Sequence, residues 1–271
     1  MNRRRSVHVA AAAAALALPL AFVATPAMAA EDATVSVLHA IPAGLGADSV
    51  DVFAGADLLI DNFTPGTLET LTVPAGSYDL AVYADGEGPD NGTPILSADG
   101  VAVPAGANAT VTANLDADGA PALNVFVNDT DHLDAGQARV TVRHIAAAPA
   151  VDILVDGAAA FTDLVNPEEA VTELTAGDYE AAVALAGTTD PVLGPTTLAL
   201  AEGVNTIVYA WGSAADGTLA LATQAVEAHT APPVPAGGGS TTGTPLWAVT
   251  LAALAAAGVL GAGVRLATSR R

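Results

Sequence analysis

The chain has 271 residues, a formal net charge of -21, no cysteine, 52% hydrophobic residues and only 4% aromatic ones. Eight basic residues against 29 acidic ones give a field of the wrong sign for nucleic acid, which is excluded as a partner. The absence of cysteine removes thiolate metal sites, thiol nucleophiles and disulfides, so an exported domain must be held together by its core alone.

The charge is segregated along the chain. Every basic residue is arginine, six of them lie at the two ends, and every Asp and Glu falls between Glu31 and Glu227. Across that middle stretch 29 acids face only Arg139 and Arg143, a net of -27. In chain order, Arg3-Arg4-Arg5, an apolar run from Val9 to Val23 and Ala27-Met28-Ala29 form the three parts of a secretory signal peptide. Residues 1–29 are therefore expected to be removed after Ala29, by general export rather than a twin-arginine route.

The next 200 residues repeat themselves. Val35-Ser-Val37-Leu-His39 recurs as Val140-Thr-Val142-Arg-His144, and Asp51 to Val82 aligns without a gap to Asp152 to Val183. Within that block Ala75-Gly76-Ser-Tyr78 matches Ala176-Gly177-Asp-Tyr179. A repeat of this length implies two copies of one domain, at 32–132 and 138–229, joined by a linker near Leu133 to Gln137. Each copy shows apolar alternation over four to seven residues, broken by Pro-Ala-Gly or Asp-Gly, which is the strand and turn signature. Asp118-Gly119, Asp156-Gly157 and Asp216-Gly217 have hairpin chemistry. The expected fold class is all-β: two tandem antiparallel β-sandwich domains, Ig-like or prealbumin-like, with seven or eight short strands each.

Residues 231–245 are rich in proline, then in glycine, serine and threonine, and read as a stalk. Leu246 to Val264 follows as 19 uncharged residues, about 29 Å as a helix at roughly 1.5 Å per residue, which matches a bilayer core. Trp247 at its outer edge and the basic tail 265–271 predict a single-pass anchor with the N-terminus outside. The C-terminal helix makes the membrane one expected partner, and an envelope or extracellular partner the other.

Candidate chemistry is sparse. His39 and His144, followed by Asp51 and Asp152, have the residue types of a base with its orienter or of metal ligands. Periodicity opposes this, since each histidine shares the inward valine face of its strand while each aspartate falls on the opposite, outward face. The histidines are expected to bond loop backbone, and Tyr78 and Tyr179 to make sandwich-corner bonds to the main chain. No Gly-x-Ser-x-Gly motif and no lysine occur, so no enzyme activity is expected. Calcium is the one ion worth weighing, with Asp116, Asp118, Asp129 and Asp131 as ligands from acidic loops. These lack the full EF-hand spacing, and solvated loop charge is the plainer reading, so no cofactor is assigned.

The second copy reads Arg139-Val140-x-Val142-Arg143-His144-x-Ala146-x-x-Pro149-Ala150-Val151-Asp152-Ile153-x-Val155-Asp156-Gly157. With the Ala-Gly-x-Tyr and Pro-Val-Leu segments that follow, it resembles the exported bacterial domain of unknown function 4397, often found in tandem. The first copy departs by an insertion, Ile41 to Ser49, and by Ala54-Gly55 where Asp-Gly is expected. The resemblance covers nearly all of both repeats and implies architecture and localisation, with no activity attached. The expected function is a non-enzymatic cell-surface module, structural or binding. A calcium-dependent adhesin or an envelope hydrolase is the alternative.

Overall fold

The computed structural model describes residues 30–229; the signal peptide, stalk, membrane helix and basic tail expected at 1–29 and 231–271 lie outside them. The described residues contain sixteen strands and no helix. In the first repeat these are β1 (Ala33–Ala40), β2 (Val50–Ala54), β3 (Asp57–Phe63), β4 (Leu68–Val73), β5 (Gly76–Ala84), β6 (Leu96–Val103), β7 (Asn108–Leu115) and β8 (Pro121–Val127). The second has β9 (Gln137–His144), β10 (Val151–Val155), β11 (Ala158–Leu164), β12 (Glu169–Thr175), β13 (Gly177–Leu185), β14 (Pro191–Leu200), β15 (Val204–Trp211) and β16 (Ala220–Glu227).

Each repeat makes two four-stranded sheets in the same order. The first has β4-β1-β7-β8 and β3-β2-β5-β6; the second has β12-β9-β15-β16 and β11-β10-β13-β14. Alternation puts Val37, Ala113 and Leu115 of one sheet against Val50, Val52, Phe63 and Val82 of the other, which is the first core. Val140, Val142 and Val208 meet Val151, Ile153 and Val183 in the second. The expectation of wholly antiparallel sheets is corrected at one pairing per repeat, because β1 runs parallel to β7 and β9 parallel to β15. Five strands separate the members of each pair, so no hairpin ties their directions together.

The hairpin turns follow residue chemistry. Asp156 and Gly157 link β10 to β11 with φ of 51° and 78°, the doubly left-handed corner that suits a twisted two-residue hairpin. At the equivalent corner of the first repeat Gly55 takes φ 60° and Ala56 does not follow it, so one glycine at the first position replaces the Asp-Gly pair.

The two sandwiches pack against each other through the outer faces of β4-β1-β7-β8 and β12-β9-β15-β16. Leu38 and Ala40 of β1 join Ile145, Ile207, Tyr209, Trp211 and Val226 in a third apolar cluster. Beside it lies a buried polar layer that includes Ser36, Thr110, Asn128, Arg143 and Gln224. The segment expected to link the repeats is tied down on both sides. Gln137 N–H donates to Asp134 and Gly203 N–H to the Gln137 carbonyl, and Leu133 is buried.

Candidate functional site

The duplicated histidines sit at equivalent strand ends and make equivalent bonds. His39 Nε2 donates to the Ala47 carbonyl (2.7 Å), which leaves Nδ1 to accept the Ile41 N–H (3.4 Å). His144 Nε2 donates to the Pro149 carbonyl (3.1 Å), and Nδ1 accepts the Ala146 N–H (3.4 Å). A carbonyl can only accept, so this arrangement fixes the neutral tautomer in both rings. Burial pushes both histidines below their ordinary pKa, and the carbonyl partners, together with Asp48 near His39, only partly oppose it. The insertion Ile41 to Ser49 lengthens the loop in the first repeat without changing the bond it supplies.

The aspartates differ from expectation. Asp51 and Asp152 alternate away from the core valines, yet both are buried rather than solvent-facing. The outer face of that sheet is covered at this point by two backbone features of its own. Asp51 Oδ1 accepts the Asn62 N–H (3.0 Å) and Oδ2 accepts the Gly86 N–H (3.0 Å). Asp152 does the same with Asp163 (2.9 Å) and Gly187 (2.8 Å). Asn62 and Asp163 stand at positive φ, 54° and 58°, where the β2–β3 and β10–β11 registers shift. Each aspartate thus clamps a bulge on one side and the turn after β5 or β13 on the other, satisfying N–H groups the ladder leaves free.

Tyr78 donates its hydroxyl to the Pro74 carbonyl (2.6 Å) and Tyr179 to the Thr175 carbonyl (2.9 Å), four residues back in each case. Asp156 Oδ1 accepts the Glu180 N–H (3.0 Å), adding a strand-to-turn bond beside Gly157.

Two of the four calcium candidates, Asp116 and Asp129, have their carboxylates engaged locally, while Asp118 and Asp131 join these turns through backbone N–H groups. Asp116 Oδ1 accepts the N–H groups of Asp118 and Ala120, a turn that shapes the β7–β8 connection. Asp129 Oδ1 accepts the Asp131 N–H and also receives Arg139 Nη1 at 2.7 Å. A cation there would compete with an arginine already present. Among the described residues, the acidic groups whose oxygens approach within 4.8 Å are instead Asp51, Asp61 and Asp85. Both oxygens of Asp51 are already engaged, and the second repeat has Thr162 and Ala186 at the other two positions.

Sequence reasoning missed the layer between the repeats. Both arginines of the acidic stretch lie there, on the outward face of β9. Arg143 donates through Nε to Glu169 (2.8 Å) and through Nη1 to Asn128 (3.0 Å) and the Tyr209 hydroxyl (2.9 Å). Its guanidinium lies 4.4 Å from the Phe126 ring centroid. The Tyr209 hydroxyl donates to Gln224 Oε1 (2.6 Å), and Gln224 Nε2 donates to Ser36 Oγ (3.0 Å). Burial holds the Tyr209 phenol above its usual pKa despite the nearby Arg143 charge, so it stays a donor. Arg139 joins Asp129 to Glu173 (2.8 Å). The available signal was β15, whose residues Val204 to Trp211 carry apolar side chains on both faces, the mark of a strand covered on both.

No curated protein matches the chain. The family comparison begins at the first residue of β1 and stops within β10, so it takes in the first repeat and two strands of the second, although the sequence motifs read more regularly in the second. Over residues 33–154 the chain matches the family described as a domain of unknown function, DUF4397.

Proposed function

We propose that the chain is a non-enzymatic cell-surface module, a duplicated β-sandwich exported by its N-terminal signal and held outside the membrane by the C-terminal apolar segment. The observation that carries this reading is the use made of the duplicated motif residues. His39 and His144, Asp51 and Asp152, and Tyr78 and Tyr179 each spend their polar atoms on backbone groups of their own repeat. Groups committed in this way hold loops and corners; a base or nucleophile needs an atom left for substrate.

Strand order supports the prealbumin-like alternative over the Ig-like one. In the Ig arrangement the first strand lies beside the second, whereas here β1 lies between β4 and β7. The acidic surface suits display outside a cell, where repulsion keeps neighbouring copies apart.

The test is surface labelling of intact cells that express the full chain with a short epitope inserted after Ala30. The expected result is labelling by a membrane-impermeant reagent and release of the epitope by external protease. Protection until the cells are lysed would overturn the reading.

A further inference from the structure

Each sandwich encloses an apolar cavity between its two sheets, and the two cavities are unequal. The one in the second repeat measures about 130 Å³, the one in the first about 40 Å³. Most of their wall positions correspond, and the side chains at those positions differ in size in both directions. Leu59, Leu71 and Leu80 line the smaller cavity, and the equivalent wall positions of the larger are Ala160, Thr172 and Ala181. Three leucines are replaced by smaller side chains on β11, β12 and β13. Ile153, Leu174, Leu198 and Leu200 are larger than Val52, Val73, Val101 and Val103, yet the second repeat keeps the larger space, since close-packed strands joined by ladders resist closing over lost volume.

The chemistry of the larger wall is simple. No charged side chain lines it, and its main surfaces are Val142, Ile153, Phe161, Val183, Leu198 and Leu200. Its two hydroxyl groups are those of Thr172 and Tyr179, and the Tyr179 hydroxyl is directed to the Thr175 carbonyl. Water needs two to four polar partners, and an apolar cavity of about 150 Å³ stays dry and takes up benzene or xenon. Ala160 is exposed on β11, an edge strand, and brings the cavity close to the surface.

We propose that the second repeat carries a binding site for a compact uncharged hydrocarbon group of about benzene's size, seated between its two sheets, and that the first repeat has lost or never had this site. Shape and dispersion select such a ligand, and a charged or strongly hydrated group is rejected because the wall offers it almost no partner. The inference does not rest on where the protein is displayed.

Benzene is the probe, titrated into the full chain carrying ¹³C-labelled Val, Leu and Ile methyl groups. Saturable shifts are expected at Val142, Ile153, Val183 and Leu200, with none at Val52, Val82 and Val111 of the first repeat. Ala181→Leu restores the side chain of the first repeat and is expected to abolish the shifts while the first-repeat methyl spectrum is unchanged. Thr172→Leu is the second variant, with the same loss expected should Ala181→Leu fail to fold. No saturable shift in the wild type, equal shifts in both repeats, or shifts that persist in a folded filled variant would each overturn the proposal.

Discussion

Arg143 is the sharpest point at which to perturb the packing of the two repeats. Arg143→Ala removes one charge-assisted bond to Glu169, two bonds to Asn128 and Tyr209, and the stacking on Phe126. Breaking a buried ion pair by deleting one partner costs about 3–5 kcal/mol. The Arg143 side chain is 1% exposed but that of Glu169 is 37% exposed, so water re-solvates the abandoned carboxylate and the lower part of that range applies, about 3 kcal/mol. Arg143→Met keeps the stem on Phe126 and avoids burying a charge, so it should cost less, about 1–2 kcal/mol for the bonds lost. Urea unfolding of the full chain gives the energies, and calorimetry gives the cooperativity. Wild type is expected to melt the two sandwiches in one transition, because the layer between them is continuous with both cores. Arg143→Ala should separate that transition into two. An alanine variant within about 0.5 kcal/mol of wild type, the scatter of ordinary surface substitutions, or a wild type that already melts in two steps, would refute the idea that this layer couples the repeats.

Three further outcomes follow from the same geometry. Asp152→Ala leaves the N–H groups of Asp163 and Gly187, both exposed residues, without their acceptor and should cost about 2 kcal/mol, at about 1.5–3 kcal/mol per bond to a charged group less the large share that water recovers there; equilibrium unfolding at neutral pH measures it, and a change near zero would mean that the clamp adds nothing to stability. His39 and His144 both have lowered pKa values in the fold, so the unfolded chain binds protons first as pH falls. Their contribution is therefore fully present above about pH 6.5 and is lost as pH drops below it. Between pH 6.5 and 5, where most carboxylates stay ionised, unfolding free energy should decline, and the double variant His39→Gln, His144→Gln should flatten that decline. Ala181→Leu should also stabilise the second sandwich, since closing the difference between about 130 and 40 Å³ recovers up to roughly 2 kcal/mol at ~24 cal/mol per Å³; a lower urea midpoint would mean that the site is already filled as tightly as its walls allow.

Much of the architecture could be read along the chain because it depends on local chemistry. Alternating valines put His39 and His144 on the inward side of their strands, and Asp156-Gly157 placed its hairpin to the residue. The aspartates show where the reading stopped. Alternation correctly turned Asp51 and Asp152 away from the valine core, but a face that avoids the core is not always a wet one, and here a bulge and a turn fold over it. The parallel pairing of β1 with β7 was equally hidden, since a pairing between strands with five others between them leaves no turn signal to mark it.

The sequence by itself determined that the middle of the chain is duplicated, that each copy is built of short strands, and that its acids outnumber its bases 29 to two across the span they occupy. Repeats, strand periods and turns are written in neighbouring residues, so one chain suffices to find them. Only the tertiary structure decided what the polar residues on the outer faces of β1, β7 and β9 are for. Ser36, Thr110 and Arg143 stand where alternation would place a solvent face, yet they are buried in the layer between the repeats. A binary pattern records that a side chain needs hydrogen bonds and leaves open whether water or another polar side chain supplies them. The two arginines, all the positive charge of the acidic stretch, are placed inside that layer, where each buried guanidinium depends on the acids, amide, hydroxyl, backbone carbonyls and aromatic rings that folding brings to it.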